Sequence, residues 1–252
     1  MSLLGVFLLI FAACAMAPDI QAQRDQARQE FEKASRFQSL KKTDAMLDRL
    51  REAVRLDPGE SLYQLTLGNA LFSLKKLDEA EIHFKAAVNI NPRLTEAYRQ
   101  LGRLYMQRGD WKNAEAYLQE ALAQPGMARP HELYNWLALT QYAQGRFTTA
   151  EKQWKDALKI KDNFEIRLNL ARAYRDHELF DLAQASLEKA LDLEPDSARV
   201  HFELAQLYLK KRRFPAARQH LNQVIRLEPL GEMSKTSRQY LKMMPSENNH
   251  GG

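Results

Sequence analysis

A unit of about 34 residues returns six times along this chain, and no other feature limits its fold as strongly. In the second copy Gln64, Leu67, Gly68, Leu71, Ala80, Phe84, Ala87 and Pro92 stand at positions 4, 7, 8, 11, 20, 24, 27 and 32. Registers beginning at Ala27, Ser61, Thr95, His131, Phe164 and Ala198 are spaced by 34, 34, 36, 33 and 34 residues, so the pattern covers residues 27–229. Apolar residues recur at helical spacing on both sides of a central turn, which makes each copy a pair of helices. One pair cannot bury its own apolar faces and must stack on its neighbours. The expected fold is therefore all-α, a superhelical solenoid of six helix pairs.

Small residues fix how closely the paired helices approach. Gly or Ala at position 8 and, after the first copy, Ala at position 20 permit an axial separation of about 8–10 Å. A larger side chain there would overpack the contact by about 1–3 kcal/mol. Pro58, Pro92, Pro195 and Pro229 occupy position 32, where a missing N–H and a restricted preceding residue end one pair and start the next. The unit resembles the tetratricopeptide repeat. Its first copy departs from the pattern: Met46 replaces the small residue at position 20, and Glu30 and Lys33 stand where apolar residues belong. That suits a terminal repeat whose outer face meets water. Residues 230–244, with Met233, Tyr240, Leu241 and Met244, have the pattern of a short amphipathic capping helix, and 245–252 that of a disordered tail.

Leu3 to Ala13 form an apolar run too short to span a bilayer and suited to the core of a secretory signal, which assigns residues 1–13 to a signal peptide. The run ends in Phe11-Ala12-Ala13-Cys14, and Cys14 is the single cysteine of the chain. This junction resembles the lipobox of bacterial lipoproteins. The resemblance implies a lipidated Cys14 as mature N-terminus, with residues 14–26 as attachment cysteine and polar tether. Several acyl chains would hold the protein on a membrane durably, since one chain alone gives only marginal binding. By resemblance to the sorting behaviour of such lipoproteins, the absence at Ala15 and Met16 of the aspartate that favours inner-membrane retention implies the periplasmic face of the outer membrane. The other reading is a soluble periplasmic protein cleaved after Ala15, Ala17 or Ala22.

Net charge is +5, but the segment from Arg199 to Met244 holds ten Lys or Arg against three Asp or Glu. That local excess fits either a solvated solenoid end or a docking site for an acidic protein or anionic envelope polymer. Nucleic acid is not an expected partner, because no recognised module accompanies the charge.

No constellation of catalytic groups converges in the sequence. There is no serine elbow and no phosphate-cradling glycine loop, and the six histidines, His83, His131, His177, His201, His220 and His250, contain no HExxH. Neither an enzyme nor a bound metal or cofactor is expected. Binding is what stacked pairs offer, on a surface lined by the first helix of each pair. Positions 5, 9 and 12 project Leu65, Asn69, Phe72, Arg99, Arg103, Met106, Asn135, Leu139, Tyr142, Leu168, Arg172, Arg175, Phe202, Gln206 and Leu209 onto it. Apolar anchors beside Arg and Asn suit an extended or helical peptide. Leu65 stands where chaperone-tail-binding repeats place Lys ahead of Asn69, so acidic C-terminal tails are not the expected ligand.

Six repeats behind a lipobox-like cysteine resemble the type IV pilus pilotin lipoproteins of the PilF/PilW family. The lengthened, proline-bearing junction between the third and fourth repeats, within Glu120 to Gly145, is also similar to that family. The resemblance implies a non-enzymatic outer-membrane lipoprotein that binds secretin subunits and promotes localisation or assembly of the pilus pore. The alternative class is a periplasmic repeat adaptor for another envelope process, such as outer-membrane protein insertion, cytochrome maturation or cell-wall synthesis.

Overall fold

The computed structural model describes residues 3–125 and 128–245, with side chains from residue 20 onward. The signal segment, Cys14 and the tail from residue 246 are therefore outside the residues whose side chains are described. Among the described residues there are thirteen helices and no strand. They fall into two compact units, residues 1–127 and 128–252.

The first unit holds three pairs: α1 (Leu3–Ser39) with α2 (Thr43–Leu56), α3 (Ser61–Ser73) with α4 (Leu77–Ile90), and α5 (Thr95–Arg108) with α6 (Trp111–Ala123). In the second, α7 (Pro130–Ala143) pairs with α8 (Phe147–Ile160), α9 (Phe164–Asp176) with α10 (Phe180–Leu193), and α11 (Ala198–Lys210) with α12 (Phe214–Leu227). A last helix, α13 (Glu232–Met243), packs on α12 and α11. Each unit is thus a stack of helix pairs, the solenoid architecture that the 34-residue period requires.

The closest contacts within pairs fall on the small residues. Ala80, Ala114, Ala150, Ala183 and Ala217 at position 20 are all fully buried, as are Phe84, Leu118, Trp154 and Leu221 at position 24. A Cβ placed on Gly68 would lie 2.7 Å from Phe84 Cδ1, and one on Gly102 2.7 Å from Leu118 Cδ2. No side chain fits there without movement of the partner helix or its side chain.

Every turn between paired helices is closed in the same way. The residue at position 15 is left-handed in all six repeats: Lys41, Lys75, Gly109, Gly145, Glu178 and Arg212. The following amide then reaches back to the carbonyl at position 11, as Lys76 N to Leu71 O at 3.0 Å and Asp110 N to Tyr105 O at 2.9 Å. This is the Schellman closure, in which glycine is the unstrained choice. Only two repeats use it.

Residues 18–26, expected as a short polar tether, have a helical backbone that belongs to α1. The stretch from 19 to 26 has neither Gly nor Pro, Gln21 donates to Asp25 at 3.2 Å, and Ala27 is fully buried against the stack, so the helix propagates upstream. One expectation needs correction: Glu30 does not meet water. It is 6 % exposed and accepts from Lys33 Nζ at 2.6 Å and Arg49 Nη1 at 3.0 Å, and these donors hold its carboxyl below the usual range. Position 4 faces position 23 across each pair, and the first repeat fills that slot with opposite charges.

Candidate functional site

In each unit the first helices of the pairs form one face, which carries most of the residues projected at positions 5, 9 and 12. Leu65 and Leu168 are exceptions. They are 6 % and 0 % exposed, each inside its unit's hydrophobic cluster, so they support the face and offer no surface of their own. A flexible leucine at position 5 finds space between neighbouring first helices and folds into it.

In the first unit, Phe72 and Met106 are half-buried against the core. The Arg103 guanidinium lies 5.3 Å from the Phe72 ring centroid and donates to Gln100 Oε1 at 3.1 Å. Such a cation–π contact fixes the arginine over an apolar floor. Arg99, also projected onto the face, is buried and pairs with Glu96 at 3.2 Å. Asn69 lines a separate cleft of about 420 Å³ between α3 and the α1–α2 turn, with Lys41, Lys42, Thr66 and Ser73.

The second unit carries a connected polar belt between two apolar regions. At one side, Asn135 Oδ1 accepts from Trp154 Nε1 at 2.9 Å and from Asn169 Nδ2 at 3.1 Å, with Leu139 beside them packed on the core. Tyr142 packs at a tilt against Trp154 and His177 and donates to Asp176 Oδ2 at 3.1 Å, and burial together with that carboxylate pushes its phenol up. In the middle, Glu203 accepts from Arg172 Nε at 2.6 Å and from Arg175, which also donates to Gln206 at 2.8 Å. At the other side, Phe202 stacks with Tyr240 of α13 at 6.3 Å, and Leu209 lines a cleft beside them.

Sequence projection missed Asn169, Glu203 and Tyr240. The first two stand at position 6, one residue beyond the projected set, and hold the projected arginines and asparagine in place. Tyr240 was legible in principle: a seventh register at Glu232, 34 residues after Ala198, puts it at position 9. Reading α13 only as a cap hid it.

Joints between neighbouring pairs are also ionic. Glu81 on α4 accepts from Tyr105 Oη at 2.5 Å, Lys85 Nζ at 2.6 Å and Arg108. In the second unit Glu151 accepts from Tyr174 Oη at 2.8 Å and Lys155 Nζ at 2.7 Å at the equivalent joint. Among the described residues no group of three or more His, Cys, Asp or Glu is placed to hold a metal ion.

Stacked helix pairs with small-residue contacts and a face of first helices define a helical-repeat scaffold of the protein-interaction kind. The tetratricopeptide-repeat family model matches residues 31–94, 99–165 and 168–232, and the chain belongs to that family. Curated relatives include the BBSome complex member BBS4 homolog of Drosophila melanogaster, 29% identical over 161 residues, 60% of this chain and 33% of that protein. Another is the anaphase-promoting complex subunit CDC16 of Saccharomyces cerevisiae, 24% identical over 186 residues, 74% of this chain and 19% of that one. The chain spans a third or less of the length of these relatives. Among solved structures, Pseudomonas aeruginosa pilF superposes with a TM-score of 0.71 at 13% identity, over 88% of this chain and 100% of that one. PilW, described as a widely conserved type IV pilus biogenesis factor, gives 0.75 at 21% identity, over 83% and 97%. The fold is thus shared with these two pilus proteins almost end to end.

Proposed function

We propose that this chain is a non-enzymatic scaffold of the bacterial cell envelope, anchored by a lipid on Cys14 to the periplasmic face of the outer membrane. There it holds secretin subunits and assists localisation or assembly of the type IV pilus pore. The observation that carries this reading is the length match: the fold accounts for 100% of the PilF chain and 97% of PilW, over 88% and 83% of this chain. The lipobox-like Phe11-Ala12-Ala13-Cys14 supports the anchor. The faces of first helices, with aromatic and arginine side chains held by neighbours, supply preorganised contacts for peptide segments.

Deleting the gene and probing membrane fractions for heat-stable secretin multimers tests the reading. Multimers should be lost or mislocalised, and a normal amount in the outer membrane would remove secretin as the partner. Replacing Cys14 by serine should move the protein from the membrane to the soluble periplasmic fraction. Unchanged fractionation would remove the anchor. Normal multimers together with retained peptide binding would favour an adaptor for another envelope assembly process.

A further inference from the structure

The belt of the second unit ends in a cleft of about 490 Å³ lined by Arg175, Asp176, Gln206, Leu209, Lys210 and Tyr240. Its charges are unequally committed. Arg175 is held by Glu203 and Asp176, and Lys211 pairs with Asp181 at 2.7 Å. Lys210, the last residue of α11, lines the cleft, and Arg212 follows two residues on in the α11–α12 turn; both are exposed, with side chains that have no partner among the described residues. Arg213 beside them acts only at range, helping Lys211 to hold the Asp181 carboxyl down. Beside Lys210 in the same cleft, Leu209 and the Tyr240 ring supply the apolar part of the lining. The opposite end of α11 is its electrical reverse, a cleft of about 320 Å³ lined by Glu165, Glu194, Asp196 and Glu228, with Arg199 paired to Glu165. A segment lying along α11 therefore meets negative charge at the start of the helix and positive charge at its end.

We propose that this face takes a partner-protein segment in which a large apolar side chain is followed, on one side only, by acidic residues. The apolar side chain seats on Tyr240 and Leu209, and the acidic residues meet Lys210 and Arg212. The acidic flank must point toward the α11–α12 turn, because the far end of the face repels it. The 13 residues of α11 extend about 20 Å. An extended segment of about six residues covers that length. This rests on the reading of the chain as a peptide-binding scaffold but not on secretin as the partner.

Random-peptide phage display on the immobilised full chain tests the proposal, followed by fluorescence anisotropy with labelled copies of the enriched peptides. Enriched sequences should share an aromatic or leucine residue with Asp or Glu on one side of it, and their affinity should fall as salt screens the contact. The doubly reversed variant Lys210→Glu/Arg212→Glu, at exposed positions that leave the fold intact, should abolish the acidic preference and flatten the salt dependence. Tyr240→Ala should weaken binding about tenfold, as for removal of an aromatic anchor, while the salt dependence stays. Failure to enrich any peptide, enrichment without acidic bias, or unchanged selection by the reversed variant would each overturn it. Normal secretin multimers in the deletion strain, with the peptide preference intact, would remove the secretin reading and leave this one standing.

Discussion

Glu81 offers a quantitative test of how neighbouring repeats are joined. Burial pushes its carboxyl up, but Lys85, Tyr105 and Arg108 outweigh that and bring it down to about 2. Moving a carboxyl from its ordinary 4.5 to about 2 corresponds to ~3.4 kcal/mol at 1.36 kcal/mol per pKa unit. Lys85 is about half exposed, and solvent screening roughly halves the effect, leaving about 1.5–2 kcal/mol. Because the folded carboxyl loses its proton more readily than the unfolded one, this stabilisation is complete above pH 4.5 and disappears as pH falls toward 2. Glu81→Gln keeps the shape and removes the charge. Urea unfolding followed by circular dichroism should show the variant about 1.5–2 kcal/mol less stable at neutral pH, with the gap narrowing between pH 4.5 and 2. Glu151→Gln at the equivalent joint should show the same trend at smaller size, because His177 stands where Arg108 does and makes no ion pair with Glu151. A difference that stays constant across the pH range would refute the ionic account of the joint.

Other consequences are open to the same measurements. Lys75→Gly and Arg212→Gly relieve left-handed residues at φ 63° and 54°, and each should stabilise by about 0.5–1 kcal/mol once the added freedom of the unfolded chain is subtracted. Trp154→Ala should cost about 3–5 kcal/mol, since the indole is fully buried and its Nε1 donates to Asn135; Trp154→Phe should recover most of the packing. Burial, with His201 beside it, holds His220 down at about 4, so it is neutral when folded. Its stabilising contribution should therefore fall by about 1–2 kcal/mol as pH drops from 6.5 to 4, with Glu188 opposing the loss, and His220→Gln should remove that slope.

The period was enough to place helix pairs because it reports on packing that every copy must satisfy. Ala150 and Ala183 are buried at one slot for the same steric reason, and Phe84 and Trp154 fill another although they differ in size. What it could not report is where a side chain goes once several directions are open. Leu65 and Leu168 share position 5 with Asn135 and Phe202, yet the leucines fold into the core, Asn135 takes two hydrogen bonds, and Phe202 stacks on Tyr240. The outcome depends on the neighbouring pair, which a single-copy template does not contain. The continuation of α1 through residues 18–26 was hidden for a related reason, since polar composition marks a tether without giving its conformation, which helix propensity and the burial of Ala27 decide.

The slot between positions 4 and 23 separates what architecture dictates from what it leaves free. Glu30 meets Arg49 there, Gln64 meets His83 at 2.8 Å, and His201 meets His220 at 2.9 Å. Geometry is constant while the chemistry changes from ion pair to amide to imidazole pair, so these choices are constrained by their own partner and not by the fold. The same reasoning applies to the turns. Gly109 and Gly145 satisfy the left-handed position without strain, whereas the last pair carries Arg212 there, flanked by Lys210, Lys211 and Arg213. Lys211 of that cluster ties the turn to Asp181 of α10, whereas Lys210 and Arg212 make no ion pair among the described residues and add no charge contact to the stack. The contribution of these two charges has to be sought in what the α11–α12 turn meets outside the chain.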